Sequence, residues 1–146
     1  MLKGPISRTR HSERLYSDYK KKHGSRGCDF CKFTAQSSQI IDTSRAFWIA
    51  KNIFGYDLWD GCRVLEHLMI IPKRHVDSIA DFTDKEKLDY LDIIATKEKQ
   101  GYSLYSRAPQ NITKSIPHQH THLLRIEDKR ISSALYIRKP HLLLFK

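Results

Sequence analysis

The stretch Ser115-Ile116-Pro117-His118-Gln119-His120-Thr121-His122-Leu123-Leu124 places three histidines at i, i+2 and i+4. Side chains on a β-strand alternate between faces. A strand here therefore sets all three imidazoles on one face, with Gln119 and Thr121 on the other. Imidazole changes protonation near neutral pH and serves as nucleophile, acid–base group or metal ligand. The spacing predicts a strand over residues 118–126 with a histidine-lined surface.

Working outward, residues 64–71 form a near-continuous apolar run that predicts a central strand. Pro72 ends it, because proline has no N–H to give to a ladder. Residues 39–43 and 46–50 read as two short strands, the second rich in residues that pack on a sheet. Residues 54–61 form a turn-rich aromatic loop. Thr83-Asp84-Lys85-Glu86 has the capping-box pattern, and Leu88, Leu91, Ile94 and Ala95 follow at helical spacing, so a helix is predicted over residues 84–99. Gly101 stops it. Tyr102, Leu104 and residues 106–112 give a strand and a polar loop, and residues 131–138 a last strand. Residues 12–22 predict a short helix with Leu15 and Tyr19 on one side, broken by His23-Gly24-Ser25-Arg26-Gly27. Strands dominate and do not alternate with helices. The expectation is an α+β fold, a mostly antiparallel sheet with one long flanking helix and a short N-terminal helix. Residues 1–27 form a basic N-terminal extension and residues 28–146 a single domain.

The chain has 146 residues, with 26 Lys+Arg against 16 Asp+Glu, a formal charge of +10. That excess suits an anionic partner: a nucleotide, a nucleic acid or an acidic membrane surface. No apolar leader opens the chain, and no run approaches the roughly 20 apolar residues that span a bilayer. A soluble, cytoplasmic protein is expected, with no membrane partner. Three cysteines, an odd number, do not form a disulfide scaffold.

Cys28-Asp29-Phe30-Cys31 places two cysteines at the spacing that supplies half of a tetrahedral zinc site. No second such pair exists. Cys62 reads as an ordinary thiol, and the better donors are His75, just past the apolar strand, and His118. A redox role for the pair lacks the preceding strand and following helix that such motifs need. Four protein ligands would close the site, which makes the zinc structural, pinning the N-terminal knuckle to two strands.

Together these residues resemble the histidine-triad family of nucleotidyl hydrolases and transferases. Ser115 and His118-Gln119-His120-Thr121-His122-Leu123-Leu124 match the motif that names it. Cys28-Asp29-Phe30-Cys31 and Ile70-Ile71-Pro72-Lys73-Arg74-His75 match two segments of its zinc-containing bacterial members. The resemblance spans roughly residues 28–126. It implies an antiparallel sheet flanked by helices, a homodimer, and a nucleotide substrate. It implies Zn2+ on Cys28, Cys31, His75 and His118, and His120 as nucleophile. His122 and His67 belong to the surrounding polar shell. His122 and Ser115 are expected to stabilise the phosphoryl group or serve the leaving group, and Lys114 adds charge beside them.

The chain departs from the family pattern in places. Gln119 and Thr121 stand where apolar residues are usual, so the sheet's other face is expected to be wetter. Thr113-Lys114 replaces a Gly-Gln. The family's substrate-binding Asn aligns nearest to Arg107, with Asn111 as the other candidate, and Asn52 stands near the place of a ribose-binding Asp. Three functions follow as expectations. One is a hydrolase cutting at the α-phosphate of nucleoside phosphoramidates, adenylylated compounds or dinucleoside polyphosphates. A second is removal of adenylate from nucleic-acid 5′ ends, with Arg8, Arg10, Arg14 and Lys20 to Lys22 as a phosphate-binding surface. The third is a non-catalytic nucleotide- or nucleic-acid-binding module.

Overall fold

The computed structural model describes residues 7–23, 27–132, 134–138 and 141–145, the last two as backbone only. Helix α1 spans Arg10–His23 and helix α2 spans Asp84–Lys99. The strands are β1 (Ile40–Thr43), β2 (Phe47–Lys51), β3 (Leu58–Trp59), β4 (Cys62–Pro72), β5 (Ser103–Ser106), β6 (Thr121–Arg130), β7 (Ala134–Arg138) and β8 (His141–Phe145). The main sheet runs β1-β2-β4-β6-β5, with β3 paired to the start of β4. Every pairing is antiparallel. The fold is therefore α+β with an antiparallel sheet. Strands β7 and β8 pair with each other in a separate ribbon. The second of them had no signal in the sequence reading. The helix-breaking Gly24-Ser25-Arg26 lies outside the described residues.

Strand β4 is central because it is apolar on both sides. Leu68 and Ile70 turn to one face, where Phe47, Phe82, Tyr90 and Leu123 form the larger core. Met69 and Ile71 turn to the other, where Phe30 and Ala50 meet them. Helix α2 begins with the predicted capping box: Thr83 Oγ1 accepts from Glu86 N, and a Glu86 carboxylate oxygen accepts from Thr83 N. The face it buries differs from the predicted stripe. Tyr90, Ile93 and Ile94 pack on the sheet, while Leu88 and Leu91 are 65% and 58% exposed. Tyr90 sets this rotation, since its ring lies against Phe47 and Phe82 and its hydroxyl sits 2.6 Å from Thr121 Oγ1.

That contact also corrects the expectation of a wet outer face at Gln119 and Thr121. Both are only 2% exposed. Gln119 Nε2 donates to Ser106 Oγ at 2.6 Å. Polar side chains are stable in such a place when each finds a partner.

Strand β6 begins three residues later than predicted. The ladder to β4 starts at Ile70–Thr121. Above it, Pro72 has no N–H to offer. The Gln119 N–H instead reaches the Val76 carbonyl at 2.6 Å, and His118 Nε2 lies 2.8 Å from the Pro72 carbonyl. The segment that carries His118 and His120 is thus held, at His118 and Gln119, by the end of β4 and the turn after it, while His122 sits within β6.

Candidate functional site

The three histidines still share a face, on the side of the sheet away from α2. The Phe30 ring meets His118 at 5.8 Å and His120 at 5.2 Å between centroids, and His120 meets His122 at 4.9 Å. Their roles divide by what each nitrogen touches.

His118 belongs to a cluster with Cys28, Cys31 and His75, whose ligand atoms all lie within 4.8 Å of one another. Cys28 Sγ is 3.4 Å and Cys31 Sγ 3.5 Å from His118 Nδ1, and Cys31 Sγ is 3.2 Å from His75 Nδ1. Tetrahedral bonds of about 2.3 Å to sulfur and about 2.0 Å to nitrogen place such atoms about 3.5 Å apart, so the donor set fits a small tetrahedral ion. The outer nitrogens fit as well. His118 Nε2 donates to the Pro72 carbonyl, and His75 Nε2 faces an Asp77 carboxylate oxygen at 3.3 Å. Each leaves Nδ1 as the lone-pair nitrogen, the arrangement typical of ligating histidines. Cys62 stands outside this cluster, buried at the start of β4.

His120 Nδ1 lies 2.9 Å from the carbonyl of His118 and must donate to it, which leaves Nε2 as the ring's lone pair. Burial, with Lys114 and Arg107 nearby, pushes its pKa down to about 4 against that hydrogen bond, so the ring is neutral at pH 7. His67 is driven down to about 3 by burial, Arg8 and Arg107. His122 falls well below its ordinary value, through burial and then its histidine and arginine neighbours.

These rings face an excess of donors. The Tyr56 backbone N–H points at His67 Nδ1 at 3.0 Å, and Asn52 Nδ2 at His67 Nε2 at 3.2 Å. Arg107 Nη1 lies 2.9 Å from His122 Nε2, and the two rings meet at 2.9 Å between His67 Nε2 and His122 Nδ1. The Asn52 amide is oriented by Phe54 N, which donates to its Oδ1 at 3.0 Å. Two neutral imidazoles offer only two acceptor nitrogens, yet three fixed donors converge on them and the rings must also pair. No carboxylate is a partner of His67, His120, His122 or Arg107 among the described residues. A site with surplus N–H groups and no counter-charge is suited to an anion.

The remaining predicted residues differ in availability. Ser115 lines the cleft in front of His120 and is exposed. Lys114 lines it too, but its Nζ is tied to the Asp77 carbonyl at 2.7 Å and Gln119 Oε1 at 3.2 Å. Asn111 is turned into its own loop, where Oδ1 accepts from Thr113 Oγ1 at 2.6 Å; Thr113 Oγ1 in turn accepts from Arg107 Nε at 2.9 Å. Asn111 therefore braces Arg107.

Sequence reasoning passed over Tyr56. Its hydroxyl accepts from Arg107 Nη2 at 2.6 Å, and its ring lies 4.6 Å from His67 and 5.5 Å from His122. The Arg8 guanidinium covers that ring at 5.0 Å and donates to the Phe54 carbonyl at 2.9 Å. Arg8 is thus an interior residue of the site, not part of an outer basic surface. The one available signal was the aromatic loop Phe54-Gly55-Tyr56, where a Cβ at Gly55 would stand 3.4 Å from that of His67.

No family model and no curated protein matches the chain. Among solved structures it is similar to a HIT family hydrolase from Clostridium thermocellum, at 22% identity and a TM-score of 0.52, covering 71% of this chain and 94% of that one. It is also similar to a HIT family hydrolase from Legionella pneumophila, at 23% identity and a TM-score of 0.48, covering 67% and 91%. A histidine triad protein from Clostridium difficile is similar at 18% identity and a TM-score of 0.49, covering 72% and 94%. The likeness to the first of these structures shows a shared fold.

Proposed function

We propose that the chain is a histidine-triad nucleotidyl hydrolase, acting at an α-phosphate through a nucleotidyl-histidine intermediate. One observation carries this reading. His120 is neutral and buried, its Nδ1–H is committed to the His118 carbonyl, and it lines a cleft full of donors. In this reading the His120 Nε2 lone pair forms the bond to phosphorus as the bond to the leaving group breaks. The leaving group departs with its electron pair and takes a proton from the Ser115 hydroxyl, which water restores. A water molecule then attacks phosphorus, the P–N bond breaks back to Nε2, and the water's proton passes to solvent. In this reading Arg107 and His122 donate to the phosphoryl oxygens as charge grows on them.

Zinc on Cys28, Cys31, His75 and His118 would supply a structural tie, fixing the chain two residues before the nucleophile. The substrates in view are nucleoside phosphoramidates, adenylylated compounds and dinucleoside polyphosphates. The same reading carries a homodimer and a cytoplasmic location as proposals. Among the described residues no helix is long and apolar enough to cross a membrane.

The test is a panel of these nucleotides on wild type and His120→Ala, with single-turnover trapping of a nucleotidylated protein. Wild type should release nucleoside monophosphate and His120→Ala should form neither adduct nor product. Turnover retained in His120→Ala overturns the assignment.

A further inference from the structure

The cleft in front of His120 and His122 holds about 1700 Å³. Pockets for single small ligands run to roughly 1,000 Å³, so there is room beyond one nucleotide. One wall is helix α1, which contributes Tyr16, Tyr19, Lys20, Lys21, Lys22 and His23. The helix is fixed relative to the histidines through Phe54, whose ring meets Tyr16 at 5.3 Å and Tyr19 at 4.8 Å. Phe54 in turn follows Asn52 and precedes Tyr56, the two residues that bracket His67.

Charge on this wall is only partly compensated. The two carboxylates that line the cleft are already matched, Glu13 to Arg8 at 3.7 Å and Asp29 to Lys32 at 2.8 Å. Lys21 has a long contact to Asp18 at 4.0 Å. Lys20 Nζ lies over the Tyr16 ring at 5.4 Å, and neither Lys20 nor Lys22 pairs with a carboxylate among the described residues. Lysines at a helix C-terminus also offset its dipole, which is a reason for them to exist but not for all three to line one cleft. Cations interleaved with aromatic rings along a groove are what binds a chain of phosphates with attached bases.

We propose that α1 forms a second anion subsite, with Lys20, Lys21 and Lys22 holding a leaving group that itself carries several phosphates beyond the one attacked at His120. The proposal rests on the hydrolase reading for the identity of that leaving group. The subsite itself is a binding surface that stands without turnover. Two sources share the chemistry: the phosphodiester chain of a nucleic-acid 5′ end and the anhydride chain of a dinucleoside polyphosphate.

The experiment measures binding on the full chain by fluorescence polarisation, using a labelled 5′-phosphorylated single-stranded oligonucleotide and competing inorganic tripolyphosphate. Lys20→Glu/Lys21→Glu/Lys22→Glu should weaken the oligonucleotide or tripolyphosphate at least about tenfold, and reduce the salt slope by about two to three. The milder Lys20→Ala/Lys21→Ala/Lys22→Ala guards against misfolding and should move both in the same direction. Lys85→Glu/Lys99→Glu/Lys129→Glu makes the same charge change away from the cleft and should leave affinity within about twofold if binding is local. Preference for the oligonucleotide assigns the nucleic-acid source, and preference for tripolyphosphate the anhydride source. Equal loss in the remote variant, or no loss in the α1 variants, overturns the proposal. If binding falls as expected but no nucleotide is ever hydrolysed, the subsite stands and the hydrolase reading fails.

Discussion

The ring of His120 donates its Nδ1–H to the backbone carbonyl of His118, 2.9 Å away. The residue proposed to react is thus oriented by the peptide of the residue proposed to hold metal. Anything that releases His118 from its cluster also loosens the ring that must stay aligned.

Metal removal should therefore reach the chemistry indirectly. Cys31→Ser, or a strong chelator, should lower the melting temperature by about 5 °C or more, as expected for a loss of about 2 kcal/mol in a domain of this size. Turnover should fall by about tenfold or more. Elemental analysis and a thermal melt check both; zinc-free protein with unchanged melting and rate would remove the metal from the account.

Tyr56→Phe tests the brace on Arg107. The hydroxyl accepts a short charge-assisted hydrogen bond, so its loss should reduce kcat/KM by about tenfold with little change in fold. Thr113→Val, which removes the acceptor on Arg107 Nε, should act in the same direction. A Tyr56→Phe enzyme as fast as wild type would show that Arg107 needs no such support.

The Tyr90–Thr121 pair belongs to stability alone. Tyr90→Phe leaves the Thr121 hydroxyl without a partner in a dry core and should cost about 1–3 kcal/mol, and Thr121→Val the same from the other side. The double variant should recover part of the loss, because neither group is then left unpaired. Urea melts of the three variants measure the coupling; strictly additive losses would contradict it.

Acid stability should depend on Glu86. Its hydrogen-bonded pairing with Arg74, helped by Thr83, holds its pKa down to about 2 against partial burial. A carboxylate lowered in the folded state adds stability above its ordinary value near 4.5, and that contribution drains away as pH falls from there toward 2. Glu86→Gln should flatten the stability curve in that window and leave it parallel to wild type at higher pH. An unchanged acid limb would mean the pairing persists unfolded or never forms.

Much of the fold was legible because β4 and α2 carry strong local signals, an apolar run ended by Pro72 and a capping box at Thr83. The group of Cys28, Cys31, His75 and His118, which could hold a metal, was legible for a different reason. The Cys-x-x-Cys spacing is chemically distinctive, and His75 and His118 stand at the ends of the two segments expected to meet it. What escaped depended on partners far away in sequence. Gln119 and Thr121 look wet until Ser106 and Tyr90 arrive to satisfy them. Arg8 looks like one more basic residue until Phe54 and Tyr56 enclose it. Leu15 and Tyr19 sit at helical spacing, but the ring of Phe54 selects Tyr16 and Tyr19, and Leu15 stays half exposed. Asn111 was one of two candidates for a substrate contact, and its Oδ1 is engaged by Thr113 in its own loop.

The position of α1 has a further meaning for how such a protein can change. The residues that could hold a metal and the triad histidines fall between Cys28 and His122, whereas one wall of the cleft comes from α1, which ends at His23. One wall of the opening is therefore written in a stretch of chain apart from the one that carries the histidines. Mutations on the exposed side of α1 can be sampled without disturbing the sheet, the knuckle or the orientation of His120. A lineage with this layout is free to explore new molecules at its doorway while the working parts behind it stay constant.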